Sequence, residues 1–188
     1  MVCGRPSFAK CPNITSNLGL FSWTFTPKEQ TPLNSRIFKV VIEVPRWGFV
    51  KRGATGTADF ISPLPCPFNY GSIHEFIGGD EDLLDAVVLG PRLPAGSRVE
   101  VSAYGAVGLT DRGLYDDKLI CGQRPLSRLE RCWVLGFFYV YGWCKRLLNI
   151  YRRRPGLTRC EGWQDVAAAL DRARPNTSRE LREPSIPF

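Results

Sequence analysis

Five short runs of β-forming residues constrain this chain more than any other feature. They are RIFKVVIEV (36–44), ADFIS (58–62), DAVVLG (85–90), SRVEVSAYGAVGL (97–109) and KLICG (118–122). Turn signals separate them: Lys51-Arg52-Gly53, Pro63 to Pro67, Gly78-Gly79 and Pro91 to Gly96. Short strands at this spacing build a small, closed antiparallel barrel rather than βαβ units.

The period changes at Pro125. Leu126, Leu129, Trp133, Phe137, Val140, Trp143 or Cys144, Leu147 and Tyr151 recur at helical spacing, and Pro125 stands where a first-turn proline belongs. This predicts one long helix packed on the barrel by that face, ended by Arg152 to Arg154, Pro155 and Gly156. A shorter helix is expected over about 161–173 (EGWQDVAAALDRA). Residues 1–35 read as an irregular arm, 36–174 as the barrel with its helices, and 175–188 as a loose polar tail. The class is α+β, mainly β.

At 188 residues, 44% hydrophobic and 23% charged, the chain suits one globular domain. Its formal charge of +7 points to an anionic partner, either nucleic acid or a phosphate-bearing ligand. The seven cysteines are odd in number and none form a C-x-x-C pair, which argues for reduced thiols over disulfides or a zinc knuckle. The N-terminus lacks the basic-then-apolar pattern of a signal peptide. The most apolar run, 132–144, is shorter than the roughly 20 residues that cross a bilayer. A cytoplasmic protein with no membrane contact is expected.

Against this basic background, GDEDLLDAVVLG concentrates Asp80, Glu81, Asp82 and Asp85 just before an apolar run. A second acidic group follows in LTDRGLYDDKL, with Asp111, Asp116, Asp117 and Lys118. Either stretch alone fits a solvated turn, because aspartate is a favoured turn residue. Two such loops facing each other would repel unless a hard divalent cation sat among them. The group is not an EF-hand: counted from Asp80, the position that needs glycine holds Asp85 and the final glutamate position holds Pro91.

The order of VVIEVP (40–45), Lys51, FNYGSI (68–73), GDEDLLDAVVLG (79–90), GLTDRGLYDDKL (108–119) and EGW (161–163) resembles the soluble, family I inorganic pyrophosphatases over roughly residues 37–170. The resemblance implies an OB-like five-stranded barrel with a long and a short C-terminal helix. It also implies Mg²⁺-dependent hydrolysis of pyrophosphate to two phosphates. By that resemblance Asp80, Asp85 and Asp116 are ligands of the metals flanking the nucleophilic water, and Asp82 is the general base beside it. Asp111, with Asp116, holds a substrate-bound metal, and Glu43 belongs to the metal region. The chemistry is consistent on its own terms. Hard oxygen ligands without a thiolate or histidine cluster favour Mg²⁺, and the charge on pyrophosphate needs several cations to offset it.

Lys51 and Lys118 correspond to phosphate-binding lysines of the family, and Tyr70 to a site tyrosine. FFYVY (137–141) resembles the family's Phe-Phe-x-x-Tyr-Lys, but Gly142 stands in the lysine's place. Lys145, one turn beyond Tyr141, is the expected substitute, with Tyr151-Arg152 as the alternative pair. The rest of that aromatic run, Trp133, Phe137 and Phe138, reads as core. Cys66 replaces a common site tyrosine, and Thr57 and Ala58 occupy the region where a phosphate-binding arginine is expected. Arg52 is the candidate replacement. Lone His74 reads as structural. The competing classes are a weak phosphate-binding relative and an OB-like nucleic-acid module. The acidic loops argue against the second, since they would repel a phosphate backbone. The expected partners are therefore pyrophosphate and phosphate, without nucleic acid, and the resemblance suggests a homo-oligomer.

Overall fold

The computed structural model describes residues 36–52, 58–62, 64–154 and 156–177. The expected arm over 1–35 lies outside them, as do residues 178–188 of the tail.

Among the described residues, ten strands and two helices follow in order. β1 (Ile37–Val44), β2 (Val50–Arg52) and β3 (Ala58–Ile61) come first, with β2 and β3 pairing as a separate two-stranded ribbon. Next are β4 (Asn69–Ile77), β5 (Leu83–Val88), β6 (Arg98–Asp111), β7 (Leu114–Tyr115) and β8 (Lys118–Gly122). The long helix α1 (Arg128–Tyr151) leads to β9 (Arg159–Gln164), α2 (Val166–Arg172) and β10 (Arg174–Pro175). The path β1-β4-β5-β8-β6 closes because β6 also pairs β1. That closed five-stranded barrel with two flanking helices is the OB-like architecture expected. All its seams are antiparallel except β5–β8, which is parallel.

Strand alternation sorts side chains between two sides of the barrel wall. Leu84, Ala86 and Val88 of β5, with Leu119 and Cys121 of β8, join Phe38, Val40 and Ile42 in the barrel interior, which α2 caps through Ala169. The intervening Val87 and Ile120 face outward and join Val134 and Phe138 of α1 in a second core. By the same alternation Asp85 and Lys118 belong to that outer side, beneath α1.

Several local expectations change. Residues 69–77 form a full strand, which the bulge between Ile73 and Ile77 conceals from a period-2 reading. EGWQ is strand rather than the start of a helix: β9 pairs with β6, and α2 begins only at Val166. Gly105 explains how the EGW tryptophan fits. A Cβ there would stand 2.2 Å from the Trp163 ring, so only a bare backbone admits the indole. Pro125 precedes α1 instead of lying in its first turn. The N-cap is Ser127, whose hydroxyl accepts from the Glu130 N–H while Glu130 accepts from the Ser127 N–H. The tail is tied down at its start, where Asn176 donates to the carbonyls of Glu75 and His74 on β4.

The largest correction concerns the face of α1. Its buried residues are Val134, Phe138 and Gly142. Leu129, Trp133, Val140, Trp143, Leu147 and Tyr151, expected to pack on the barrel, are exposed. Phe137 and Phe138 are core as expected, with Phe137 edge-on to Phe68 at 5.8 Å, but Trp133 is not.

Candidate active site

Parallel pairing puts Asp85 directly beside Lys118, and antiparallel pairing puts Ser72 on its other side. A short loop (78–82) enters β5, and a hairpin (112–117) joins β6 to β8. The two loops meet: a Cβ on Gly79 would stand 2.9 Å from the Tyr115 carbonyl oxygen. The C-terminal half of α1 crosses above. Together these elements enclose a cavity of about 280 Å³.

Asp80, Asp82, Asp85, Asp111, Asp116, Lys51, Lys118, Lys145, Tyr70 and Tyr141 all line it. Lys118 is the pivot. Its ammonium donates to Asp85 Oδ2 and Asp116 Oδ1, with its side chain only 4% exposed. Lys145 reaches Asp111 Oδ2 at 3.0 Å and Asp116 Oδ2 at 3.3 Å, so Asp116 lies between two lysines. Lys51 stands 3.5 Å from Asp85 Oδ1 and 3.2 Å from Glu43 Oε2. The Tyr70 ring packs between them, with Lys51 and Lys118 at 5.6 and 5.7 Å from its centroid.

The charges follow from these contacts. Burial works against the ammonium of Lys118, yet Asp116 and Asp85 hold it well above the usual lysine value. Burial likewise opposes ionisation of Asp116, but Lys118 and Lys145 hold its carboxyl below the ordinary range. Lys51 and Lys145 are also raised against burial, by Asp85 and Glu43 and by Asp116 respectively. Among the described residues, Asp80 has no such counter-ion in contact. Burial and the charge of Asp116 push it up to about 6. Tyr70 lies well above the usual phenol value because it is buried beside Asp85, and burial raises Tyr141 as well.

Glu43 does not line the cavity. It accepts from Ser72 Oγ at 2.7 Å and engages Lys51, so it supports the wall from behind. The Arg52 side chain lies outside the described residues. Between the two tyrosine–cation pairs the structure distinguishes plainly. Tyr141 and Lys145 both line the cavity, whereas Tyr151 is 87% exposed and only Arg152 reaches the rim. His74, half-buried on β4, takes no part in this cavity.

Other residues emerge that motif reading missed. Asn149 Nδ2 and Thr158 Oγ1 donate to Asp111 Oδ1 at 2.9 and 3.1 Å, fixing that carboxylate. Asn149 lies four residues beyond Lys145 on α1, a spacing that marks a shared face. Arg112, Arg152 and Arg154 add guanidinium groups to the rim. Behind Lys51 and Tyr70 a second, apolar cavity of about 70 Å³ reaches Cys66, the position where the resemblance expects a tyrosine.

The donor set suits a hard divalent cation: every candidate ligand is a carboxylate, and no thiol or imidazole lines the cavity. Asp85 Oδ1 is buried and accepts no hydrogen bond, with Lys51 Nζ facing it at 3.5 Å, an oxygen whose remaining lone pairs suit such an ion. Among the described residues, no three acidic, histidine or cysteine side chains are already gathered as a metal cage. Lys118 stands between Asp85 and Asp116, and Lys145 between Asp111 and Asp116.

The sequence profile of the inorganic pyrophosphatase family matches residues 40–132, a span covering Glu43, Lys51, both acidic loops and Lys118. The chain belongs to the inorganic pyrophosphatase family. It is a divergent member: no curated protein matches it in sequence. Solved structures are similar over roughly three quarters of the chain. The inorganic pyrophosphatase of Coxiella burnetii is 26% identical, with a TM-score of 0.57 over 72% of this chain and 90% of its own. That of Thermus thermophilus is also 26% identical, with a TM-score of 0.57 over 72% and 86%. The Neisseria gonorrhoeae protein is 23% identical, with a TM-score of 0.58 over 77% and 92%. In this pyrophosphatase-family chain Gly142 faces β9, where an added Cβ would make ordinary contact with the Cys160 nitrogen at 3.4 Å, and the α1 cation beside Asp111 and Asp116 is Lys145.

Proposed function

We propose that this chain, a diphosphatase by family, hydrolyses inorganic pyrophosphate to two phosphates with Mg²⁺. The observation that carries the proposal is the alternation of carboxylate and ammonium in one cavity: Lys118 between Asp85 and Asp116, and Lys145 between Asp116 and Asp111. Asp80, Asp85 and Asp116 would hold Mg²⁺ beside the attacking water, and Asp111 with Asp116 would hold a further ion. When bound, Mg²⁺ lowers the pKa of a water toward neutrality and offsets phosphate charge.

The protein's own groups do the rest. Asp82, at the cavity rim with its N–H on Asp80 Oδ1 at 3.3 Å, orients the water and accepts its proton at a carboxylate oxygen. Lys51, Lys118 and Lys145 remain ammonium at neutral pH and offer N–H donors to phosphate oxygens. They exchange their carboxylate partners for substrate as the cations arrive. The phenols of Tyr70 and Tyr141 stay protonated and donate likewise, and Arg52 is the proposed guanidinium partner. Glu43 positions Lys51 and completes the acidic region. A cytoplasmic location is part of this reading, supported by the absence of disulfides among the described cysteines.

The test is phosphate release from pyrophosphate with and without Mg²⁺, for the wild type, Asp82→Asn and Asp85→Asn. The expected result is Mg²⁺-dependent release that falls by about 10²–10⁴ in Asp82→Asn, the range for losing a general base. Release by the wild type no faster than by these variants would refute the activity. Salt-sensitive oligonucleotide binding without release would instead support the nucleic-acid module.

A further inference from the structure

Two cavities adjoin at the lysines of the site. The smaller, of about 70 Å³, shares Lys51, Tyr70, Lys118 and Tyr141 with the acidic cavity. Beyond those four, Val44, Phe49, Phe137 and Phe138 surround Cys66. The Ser62 hydroxyl in the same wall already donates to the Leu64 carbonyl at 2.6 Å. Burial pushes the Cys66 thiol up to about 11, so it stays neutral. Water therefore finds few partners in this chamber, and a hydrocarbon displaces it readily. The inner wall is preformed: the Tyr141 ring stacks on Phe137 at 5.9 Å and meets Phe138 edge-on at 6.2 Å. Phe49, 49% exposed, supplies the wall nearest solvent. Pyrophosphate, charged at both ends, gains nothing from such a space.

We propose that the chamber is a subsite for the short hydrocarbon chain of an alkyl or alkenyl diphosphate, and that the protein removes the terminal phosphate of such esters. The chemistry rests on the pyrophosphate reading above, whereas the subsite rests on the chamber. Lys51 and Lys118 face the same Tyr70 ring, 5.6 and 5.7 Å from its centroid, and so present two ammonium groups where the cavities join. A phosphate held there keeps its other oxygens in the acidic cavity and turns its ester oxygen toward the apolar walls. At about 10–15 Å³ for each water-sized group, the chamber takes about five to seven carbons. A nucleoside is larger, and its sugar hydroxyls would lose water without gaining partners. In the reaction, water attacks the terminal phosphorus and Asp82 takes its proton. The bond from that phosphorus to the bridging oxygen breaks, and the bridging oxygen leaves with the electron pair on the alkyl monophosphate. The products are inorganic phosphate and that monoester, with no change of oxidation state. Cys66 sets the specificity: a tyrosine there, as the resemblance expects, would project its ring into the chamber.

Calorimetric titration of the full chain with methyl phosphate and with 3-methylbutyl phosphate, in Mg²⁺, tests the subsite without catalysis. Each buried methylene tightens binding about fourfold, so the longer monoester should bind at least about tenfold more tightly. Cys66→Tyr, which fills the chamber, and Phe49→Ala, which removes its outer wall, should each abolish that preference. Phe49 touches no group of the acidic cavity, so Phe49→Ala should fold by circular dichroism and cleave pyrophosphate at the wild-type rate even if Cys66→Tyr does not fold. Phosphate release should be faster from isopentenyl diphosphate than from ADP, at least about tenfold in kcat/KM. Equal affinity for the two monoesters would overturn the proposal, as would a preference that survives the substitutions. Cleavage of ADP as readily as isopentenyl diphosphate would overturn it too, because the site would then be open to any diphosphate ester. A wild type that cleaves pyrophosphate but not isopentenyl diphosphate would overturn this inference and leave the pyrophosphate reading standing. One that cleaves neither yet prefers the longer monoester would refute the pyrophosphate reading and support the subsite.

Discussion

Lys118→Met removes one charge from the centre of the site while keeping a side chain of similar length. Lys118 is 4% exposed, and its carboxylate partners on Asp85 and Asp116 are 10% and 9% exposed, so water cannot replace the lost ammonium. Removing one member of such a buried set costs about 3–5 kcal/mol. The lower end applies here, because Lys51 remains 3.5 Å from Asp85 and Lys145 remains 3.3 Å from Asp116. A loss of about 3 kcal/mol corresponds to a Tm lower by about 6–12 °C for a chain of this size. The assay is urea and thermal unfolding in EDTA, followed by circular dichroism. A double-mutant cycle isolates the interaction. Asp116→Asn should be destabilising alone but should recover at least about 1 kcal/mol when added to Lys118→Met, because it removes the stranded charge. Mg²⁺ should stabilise Lys118→Met more than wild type, since a bound cation replaces the missing one. A cost below about 1 kcal/mol, or an Asp116→Asn effect that simply adds, would refute the view that Lys118 neutralises these carboxylates.

Three other expectations follow from individual residues. Lys145→Met should lower kcat/KM for pyrophosphate by about 10²–10³, the cost of one transition-state donor, and unchanged kinetics would return the role to Arg152 or Arg154. Glu81 has φ 72°, a left-handed conformation that costs a side chain about 1 kcal/mol. Glu81→Gly should therefore leave stability equal or raise it by a few tenths of a kcal/mol in equilibrium unfolding, whereas a loss above 1 kcal/mol would show that Glu81 makes a contact of its own. Glu130 is held down to about 2 by Arg124, then by the Ser127 N–H and hydroxyl. A depressed carboxyl stabilises the fold above its unfolded value near 4.3 and loses that contribution as pH falls. Because Glu130 is largely solvated, Glu130→Gln should cost only about 0.5 kcal/mol at pH 7, and the difference should vanish toward pH 2.

Much of the site was legible in the residues. Asp80, Asp82, Asp85, Asp111, Asp116, Lys51, Lys118 and Tyr70 come from contiguous motifs, and all of them line one cavity. They were legible through the resemblance of several motifs in family order, whereas bringing the two acidic loops into one cavity took the β5–β8 pairing. Lys145 was named as one of two candidates for the lysine that the resemblance expects, because it lies one helical turn from Tyr141. Asn149 and Thr158 were not. They belong to α1 and to the segment before β9, and only the packing of those elements brings both within hydrogen-bond distance of Asp111. Glu43 was assigned to the metal region by its motif, but whether a β1 side chain enters the cavity or supports it from behind depends on the β1–β4 register and its bulge.

The sequence by itself determined that a strand-rich barrel precedes one long helix, because strand and helix periods are local properties of the chain. It also determined which residues concentrate opposite charge. Tertiary structure alone decided three things. It made EGWQ a strand, since β6 offered an edge with unpaired backbone groups to satisfy. It closed the sheet between β1 and β6, residues far apart in sequence. And it chose the buried face of α1. That helix is apolar on more than one side, so its own pattern cannot say which side goes inward. The barrel selected Val134, Phe138 and Gly142 and left Leu129, Trp133, Val140 and Trp143 facing outward.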